Sequence, residues 1–234
     1  MTKKEIKYLI IIPCRKNSSR VKNKNIRKIN GKRLFELTIT QAKKFVNKNY
    51  HLIVNTDHPD IIKYCKNNSI DFFKRPKKDS KNNSKVSDTI INMLSIYEKN
   101  NNCLIKNIIL LQVTSPLRKK IHITNAIKLY ESKNYKSLCS VCETSISPFW
   151  TNYLDKDLNL KKFLNSRYLN YMSQNLPKRY QVNGAIFISE KNSYLHYKRF
   201  FNRPKSIAYI MPVENSIDID NEFDYKIAKK LLEN

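Results

Sequence analysis

Glycine is nearly missing from this chain, with two in 234 residues, Gly31 and Gly184. A sequence so poor in glycine keeps it where the backbone needs a geometry that side chains resist, so both positions mark segments of interest. Acid is scarce as well. The 19 Asp and Glu residues face 45 Lys and Arg, leaving a formal charge of +26. Such an excess is compatible with nucleic acid, an anionic membrane surface or a phosphate-rich substrate. The lysines are spread along the whole chain rather than gathered into one stripe with stacking aromatics, so the charge reads as compositional. No specific nucleic acid and no membrane are expected as partners. No apolar run approaches the roughly 18 residues that span a bilayer. The opening MTKKEIKYLIIIP places basic residues before an apolar stretch, as a signal peptide does. That stretch, Tyr8 to Ile12, is short and no small-residue cleavage site follows, so it reads as a buried first strand. Five cysteines, an odd number, argue against a disulfide framework and for a reducing cytoplasm. The pair Cys139-Ser-Val-Cys142 lies in an apolar run with no second ligand pair, which favours a structural role over zinc or redox chemistry.

What is present is an alternation of short apolar runs with longer segments of helical period. That pattern predicts an α/β fold: a mostly parallel sheet covered by helices. Strands are expected at Ile6–Pro13, His51–Asn55, Ile70–Lys74, Asn107–Gln112, Ser137–Cys142, Gly184–Ser189 and Ser206–Met211. Helices are expected at Leu34–Val46, Pro59–Lys66, Ser87–Lys99, Ile121–Glu131 and Asn221–Leu232. No repeat and no linker divides the chain, so residues 1–234 read as one domain. The stretch 147–182 breaks the rhythm, with no clean period but with Trp150, several tyrosines, Pro148 and Pro177. It reads either as a lid over the site or as a surface for another subunit.

The first strand runs into Arg15-Lys-Asn-Ser-Ser-Arg20-Val-Lys22-Asn-Lys24-Asn25 and on to Gly31. Ligands of open α/β sheets bind beyond the carboxyl ends of strands. A loop there with two arginines and three lysines offers donors to phosphate and little to an apolar ligand. It contains neither GxxxxGK[ST] nor GxGxxG. Its order of residues is similar to the RxxSxRxxxKN signature of sugar-activating cytidylyltransferases. Four further segments follow in the order of that family. Leu110 to Arg118 (LLQVTSPLR) is similar to LLQPTSPLR, Asn183 to Phe187 (NGAIF) to NGAIY, Ser216 to Asp220 to SIDID, and Arg75-Pro76 to the arginine–proline pair after the third strand. From about Ile6 to Leu232 the chain resembles the acylneuraminate cytidylyltransferases, with pseudaminic and legionaminic acid enzymes as close relatives.

The resemblance implies a Rossmann-like nucleotide-diphospho-sugar transferase fold with a small dimerisation subdomain at about 147–182. It further implies a cytoplasmic homodimer that joins CTP to an acidic nine-carbon sugar and releases pyrophosphate. Phosphoryl-type transfer is positioning plus charge neutralisation, which suits Arg15 and Lys24 to the phosphates, with Ser18 and Asn25 as neutral contacts. Asp218 and Asp220 alternate with Ile217 and Ile219. At a strand end this puts two carboxylates on one face, fit for Mg²⁺. Asp220 could also cap the helix expected from Asn221. The resemblance places Gln112 and Asn183 on the sugar, Phe187, Phe200 and Phe201 on its apolar side, and Arg75 near the cytosine. The chain departs from the family pattern at Ser19, Arg20, Lys22 and Val113. Ser173 and Gln181 stand where many members carry arginines for the sugar carboxylate, and Lys178 or Arg179 are near enough to replace them. The segment 77–86 is longer and more basic than the pattern. The departures leave open which nonulosonic acid is used, N-acetylneuraminate, pseudaminic or legionaminic acid. A reading from another class is a basic nucleic-acid binder on a degenerate transferase fold. The intact Arg15, Lys24, Asp218 and Asp220 argue against it.

Overall fold

In a computed structural model of the chain, the described residues are 3–16, 20–76, 86–132, 134–154, 156–161, 163–164, 166–168, 170–201 and 205–233. Seven strands form one sheet: β1 (Lys4–Cys14), β4 (Tyr50–Thr56), β5 (Asp71–Lys74), β6 (Cys103–Leu111), β7 (Ser137–Glu143), β8 (Tyr180–Glu190) and β9 (Ser206–Ile210). Their order is β5-β4-β1-β6-β8-β7-β9. Every expected strand is present. All pairs are parallel except those of β8, which runs antiparallel to both β6 and β7. Two short strands, β2 (Lys28–Ile29) and β3 (Lys32–Arg33), form a separate hairpin. Asn30 and Gly31 turn it with φ of 49° and 73°, the left-handed pair that a two-residue hairpin requires.

Helices cover both faces. On one, α1 (Leu34–Lys43), α2 (Pro59–Asn67), α4 (Lys120–Ser132) and α6 (Glu222–Glu233) pack on Tyr8, Ile10 and Ile12 of the central strand. On the other, α3 (Val86–Asn100) and α5 (Lys191–Tyr197) pack on Leu9 and Ile11. β1 is apolar on both faces because both are covered, as parallel strands of this class demand. Each fully buried isoleucine or leucine there contributes about 2 kcal/mol. In α1 the buried residues Leu34, Phe35, Thr38, Ile39 and Ala42 fall on one helical face, which sets its orientation on the sheet. α2 starts at Pro59, and His58 Nδ1 accepts from Asp60 N at 3.2 Å to cap it.

Between β7 and β8 the described residues form no strand and no α-helix, only the 3₁₀ turns Pro148–Trp150, Ser166–Tyr168 and Ser173–Asn175. The irregular region therefore ends at Arg179, three residues earlier than the sequence pattern predicts. Phe149 stacks on Tyr168 at 4.1 Å, and Tyr168 meets Tyr171 edge-on at 5.6 Å. Tyr153, Leu154, Leu158 and Leu160 remain exposed, Tyr153 by 95%. All five cysteines are free and buried, and burial raises the Cys139 thiol to about 12. No helix among the described residues is long and apolar enough to cross a membrane.

Candidate active site

The carboxyl ends of β1 and β6 open into one cleft, where the topology of an α/β sheet places its ligands. Arg15, Lys24, Asn25, Arg75, Gln112 and Asp220 line it, brought from five separated stretches of sequence. Arg20, Thr114 and the backbone edge at Pro13, Leu110 and Val113 complete the wall. Arg20 and Thr114 are the residues that sequence reasoning left off its list. For Arg20 the signal was its place in a loop whose two arginines and three lysines offer donors to phosphate. Ser18 and the segment 77–85 lie outside the described residues.

The basic loop is shaped from within and latched from outside. Asn25 is buried, and its Nδ2 donates to the Arg15 carbonyl at 2.8 Å. That amide therefore closes the loop, and Arg15 lines the cleft. Lys24 Nζ donates to the Ile219 carbonyl at 2.6 Å and lies 3.6 Å from Asp220 Oδ1. Burial pushes its pKa down, opposed by Asp220 and Asp218 and assisted by Arg20. Arg20 Nη2 is 3.1 Å from the same Asp220 oxygen. Further along, Arg27 binds Glu222 at 2.5 Å and lies 3.7 Å over the Tyr225 ring. Asn30 Nδ2 donates to the Leu232 carbonyl at 2.5 Å. α6 and the loop are thereby one unit.

The segment carrying Asp218 and Asp220 is not a strand. It is an irregular stretch after the 3₁₀ turn Val213–Asn215, anchored where Ile219 N donates to the Thr114 carbonyl at 2.8 Å. Ile219 is fully buried; of the two aspartates beside it, Asp220 lines the cleft, while Asp218 is not among the lining residues. Burial raises the Asp218 pKa, opposed by a hydrogen bond from Thr114 and assisted by the charge of Asp220. Asp218 Oδ1 is buried and has no hydrogen-bond partner among the described residues. The cap of α6 comes from elsewhere. Asn221 Oδ1 accepts from Phe223 N and Asp224 N, and Asp224 Oδ2 accepts from Asp220 N and Asn221 N. The Asp220 carboxylate is thus left to Lys24 and Arg20, not to the helix end.

Gly184 adopts φ +71°, and a Cβ built there would lie 3.3 Å from Asp218 Oδ2 and 3.6 Å from Gln112 Oε1. The second glycine therefore sits where β8 passes the carboxylate and the amide. Thr114 Oγ1 donates to Gln112 Oε1 at 3.3 Å, orienting that side chain along the wall. Asn183, expected at a strand end, lies inside β8 and is not among the cleft-lining residues. Its Oδ1 accepts from Ser140 Oγ at 2.6 Å and Ala185 N at 3.2 Å, and its Nδ2 donates to Ser216 Oγ at 2.9 Å. These bonds fasten β7, β8 and the Ser216–Asp220 segment together behind the cleft. Phe187 and Phe200 are buried in the second core, with ring centroids 5.3 Å apart, while Phe201 is 46% exposed and 6.4 Å from Phe187. Leu110 joins this cluster to the cleft. Lys178 pairs with Glu143 at 3.1 Å and Arg179 lies 4.5 Å over the Phe149 ring, neither of them lining the cleft. Gln181 is exposed and its Nε2 reaches Cys142 Sγ at 3.9 Å. Ser173 begins a 3₁₀ turn.

The cytidylyltransferase family model matches residues 9–228. An Escherichia coli N-acylneuraminate cytidylyltransferase is 35% identical over 95% of this chain and 51% of its own length. A Legionella pneumophila CMP-N,N'-diacetyllegionaminic acid synthase is 28% identical over 97% of both chains. The chain spans about half the length of the first curated relatives it matches. Among solved structures, a CMP:2-keto-3-deoxy-manno-octonic acid synthetase complexed with CTP superposes with TM-score 0.68 at 13% identity, covering 97% of this chain and 98% of that one. At that identity the likeness speaks for the fold.

Proposed function

Since the chain belongs to the cytidylyltransferase family, we propose that it joins CTP to a nonulosonic, sialic-type acid, giving the CMP-sugar and pyrophosphate. The observation that carries this reading is the cleft itself, where Arg15, Arg20, Lys24 and Arg75 converge with Gln112 and Asp220. Cations that converge from separate segments suit a polyphosphate, and the amide suits a polyhydroxy partner.

In this mechanism the sugar hydroxyl oxygen bonds to the α-phosphorus of CTP. The bond from that phosphorus to the bridging oxygen breaks, pyrophosphate leaves, and the hydroxyl proton is released. Arg15 and Lys24, with Arg20, hold the β- and γ-phosphates and neutralise the charge that builds as they leave. Asn25 sets the loop conformation in which Arg15 faces the phosphates, and Ser18 adds a neutral contact. Arg75 serves the cytosine side. Gln112 reads sugar hydroxyls, Asn183 holds the strand that carries Gly184 beside the sugar, and Phe187, Phe200 and Phe201 border its apolar face. Asp218 and Asp220 are the residues that would hold Mg²⁺, and the unpartnered Asp218 Oδ1 beside a second carboxylate fits a hard cation that keeps its waters. Bound there, the ion would supply charge to the α-phosphate and lower the pKa of the attacking hydroxyl.

The reading includes a single cytoplasmic domain whose inserted segment, about 147–182, pairs two copies of the chain. Exposed Tyr153, Leu158 and Leu160 form an apolar surface of the kind that a second copy covers. Lys178 and Arg179 then reach the sugar carboxylate in the neighbouring site. The test is pyrophosphate release on mixing the protein with CTP, Mg²⁺ and, separately, N-acetylneuraminate, legionaminic and pseudaminic acids. Release with one of them supports the reading and names the sugar. No release with any acid, together with tight DNA binding in physiological salt, would instead support the nucleic-acid binder.

A further inference from the structure

One arginine in this fold is buried with no acid to match it. Arg118 is 1% exposed and is the largest of the fully buried side chains. Its Nη1 donates to the carbonyls of Gln112 at 3.1 Å and Ala185 at 2.7 Å, and its Nε donates to Gln41 Oε1 at 3.2 Å. Gln41 Nε2 in turn donates to the Arg118 carbonyl. Nη2 has no partner among the described residues, and none of their carboxylates pairs with this cation. Burial alone lowers its pKa, to about 9. A buried cation without a counter-charge is unfavourable, and bonds to carbonyls compensate only part of the loss. Packing does not call for such a group, since an apolar side chain of similar length would fill the space.

The two carbonyls explain its place. Gln112 supplies the amide at the cleft wall. Ala185 follows Gly184, the residue that passes between Asp218 and that amide. Two residues beyond Gln112, the Thr114 carbonyl anchors Ile219 between the two aspartates. β6 ends at Leu111, so beyond it no ladder bond fixes Gln112 against β8. A planar guanidinium reaches both backbones from behind with a fixed spacing, as lysine's single point charge does not.

We infer that Arg118 is a positioning residue: by clamping the Gln112 and Ala185 carbonyls it sets how closely β8 passes the cleft wall, and so where the Gln112 amide that orients the sugar is held. The inference rests on the proposed transferase reading and deepens it. Arg118 touches neither substrate. It acts through Gln112 and Gly184, on the sugar half of the site, while the phosphate loop is held independently by α6.

The test compares the wild type with Arg118→Lys and Gln41→Ala, the latter loosening the clamp without removing the buried charge. In Arg118→Lys, kcat/KM for the sugar acid should fall about 50-fold while CTP affinity, measured without sugar, changes less than twofold. In Gln41→Ala the same split should appear at about fivefold. Hydrogen exchange should rise at peptides covering 111–115 and 183–187 and stay unchanged at 20–33. Sugar and CTP parameters falling together with melting temperature would show a merely structural arginine, and unaltered kinetics and exchange would also overturn the inference. If the wild type releases no pyrophosphate with any sugar acid, the transferase reading fails. The exchange pattern then decides the clamp alone: a rise confined to those two peptides supports it, and its absence overturns it.

Discussion

The cleft and the excursion that precedes β8 teach opposite lessons about how a site is held. At the cleft, which Gly184 approaches from the first half of β8, the basic loop is fixed by residues far away in sequence. Lys24 is bound to Ile219, Arg27 to Glu222 and Asn30 to Leu232, separations of about two hundred residues. Before Tyr180 the chain is held by neighbours. Phe149, Tyr168 and Tyr171 stack on one another, Asn152 Nδ2 donates to the Phe163 carbonyl at 2.9 Å, and Tyr153 and Leu158 project outward. The first region is organised within one copy of the chain. The second has its own small cluster but lacks a cover, which is why a second copy belongs there in the proposed function.

That contrast can be broken from either side. The largest effect is expected in the cleft. Asp218→Ala or Asp220→Ala should lower pyrophosphate release by about 100-fold with the melting temperature retained, and a double variant near wild-type turnover would refute the metal assignment. Gly184→Ala comes next. Its Cβ would press on Asp218 in a left-handed backbone, a strain of about 1–2 kcal/mol. Turnover should fall about tenfold and the melting point by about 3–6 °C; a fully active, unshifted protein would show that the close approach is dispensable. On the other side, Tyr153→Asp with Leu158→Asp should convert a dimer to a monomer by light scattering, raising the KM for sugar about fivefold, as loss of about 1 kcal/mol implies. An unchanged mass would remove this surface from the interface. Arg27→Met should raise the KM for CTP about threefold through loss of the ion pair with Glu222 and of the Tyr225 contact. An equal effect on sugar alone would contradict the latch.

The smallest effect is thermodynamic. Burial holds His51, His58 and His122 below the ordinary imidazole range. The unfolded chain takes up protons as pH falls through about 6.5 while these sites resist. Their stabilisation is therefore present above that pH and is lost as pH drops through it toward the lower folded values. Asp218, shifted upward, has the opposite sign, so the comparison uses an Asp218→Asn background. There the melting temperature should fall by a few degrees between about pH 7.5 and about pH 5.5, and a rise would mean that the imidazoles are not the controlling groups.

The strands were legible because apolar runs bounded by polar turns are a local property. The direction of β8 was not, since alternation along a strand has no sense of up or down and antiparallel pairing is decided by the path of the excursion. α5 was missed for a related reason: seven residues with Tyr194 alone buried give no stripe to read. Arg15, Lys24, Gln112 and Asp220 were found through residue type and order, and the cleft gathers them. Asn183 was legible as a polar group of interest but not in its partners, because Ser140 and Ser216 are remote in sequence. Likewise the segment LLQVTSPLR marks Arg118 but not its partners, because Gln41 and Ala185 are remote in sequence. What sequence withholds is the second layer, where function depends on who stands behind whom.

The latch between the basic loop and α6 has a consequence in time. A ribosome delivers Arg15 to Asn30 early and Ile219 to Leu232 some two hundred residues later, which at about 5–20 residues per second is an interval of about 10–40 s. During that interval the loop has its cations but neither the carbonyl that receives Lys24 nor the carboxylates beside it. A nascent chain can therefore form the central strands and still present unanswered positive charge to polyanions, ribosomal RNA among them. Closure of this site waits on the arrival of α6 rather than on the strands that carry most of its core.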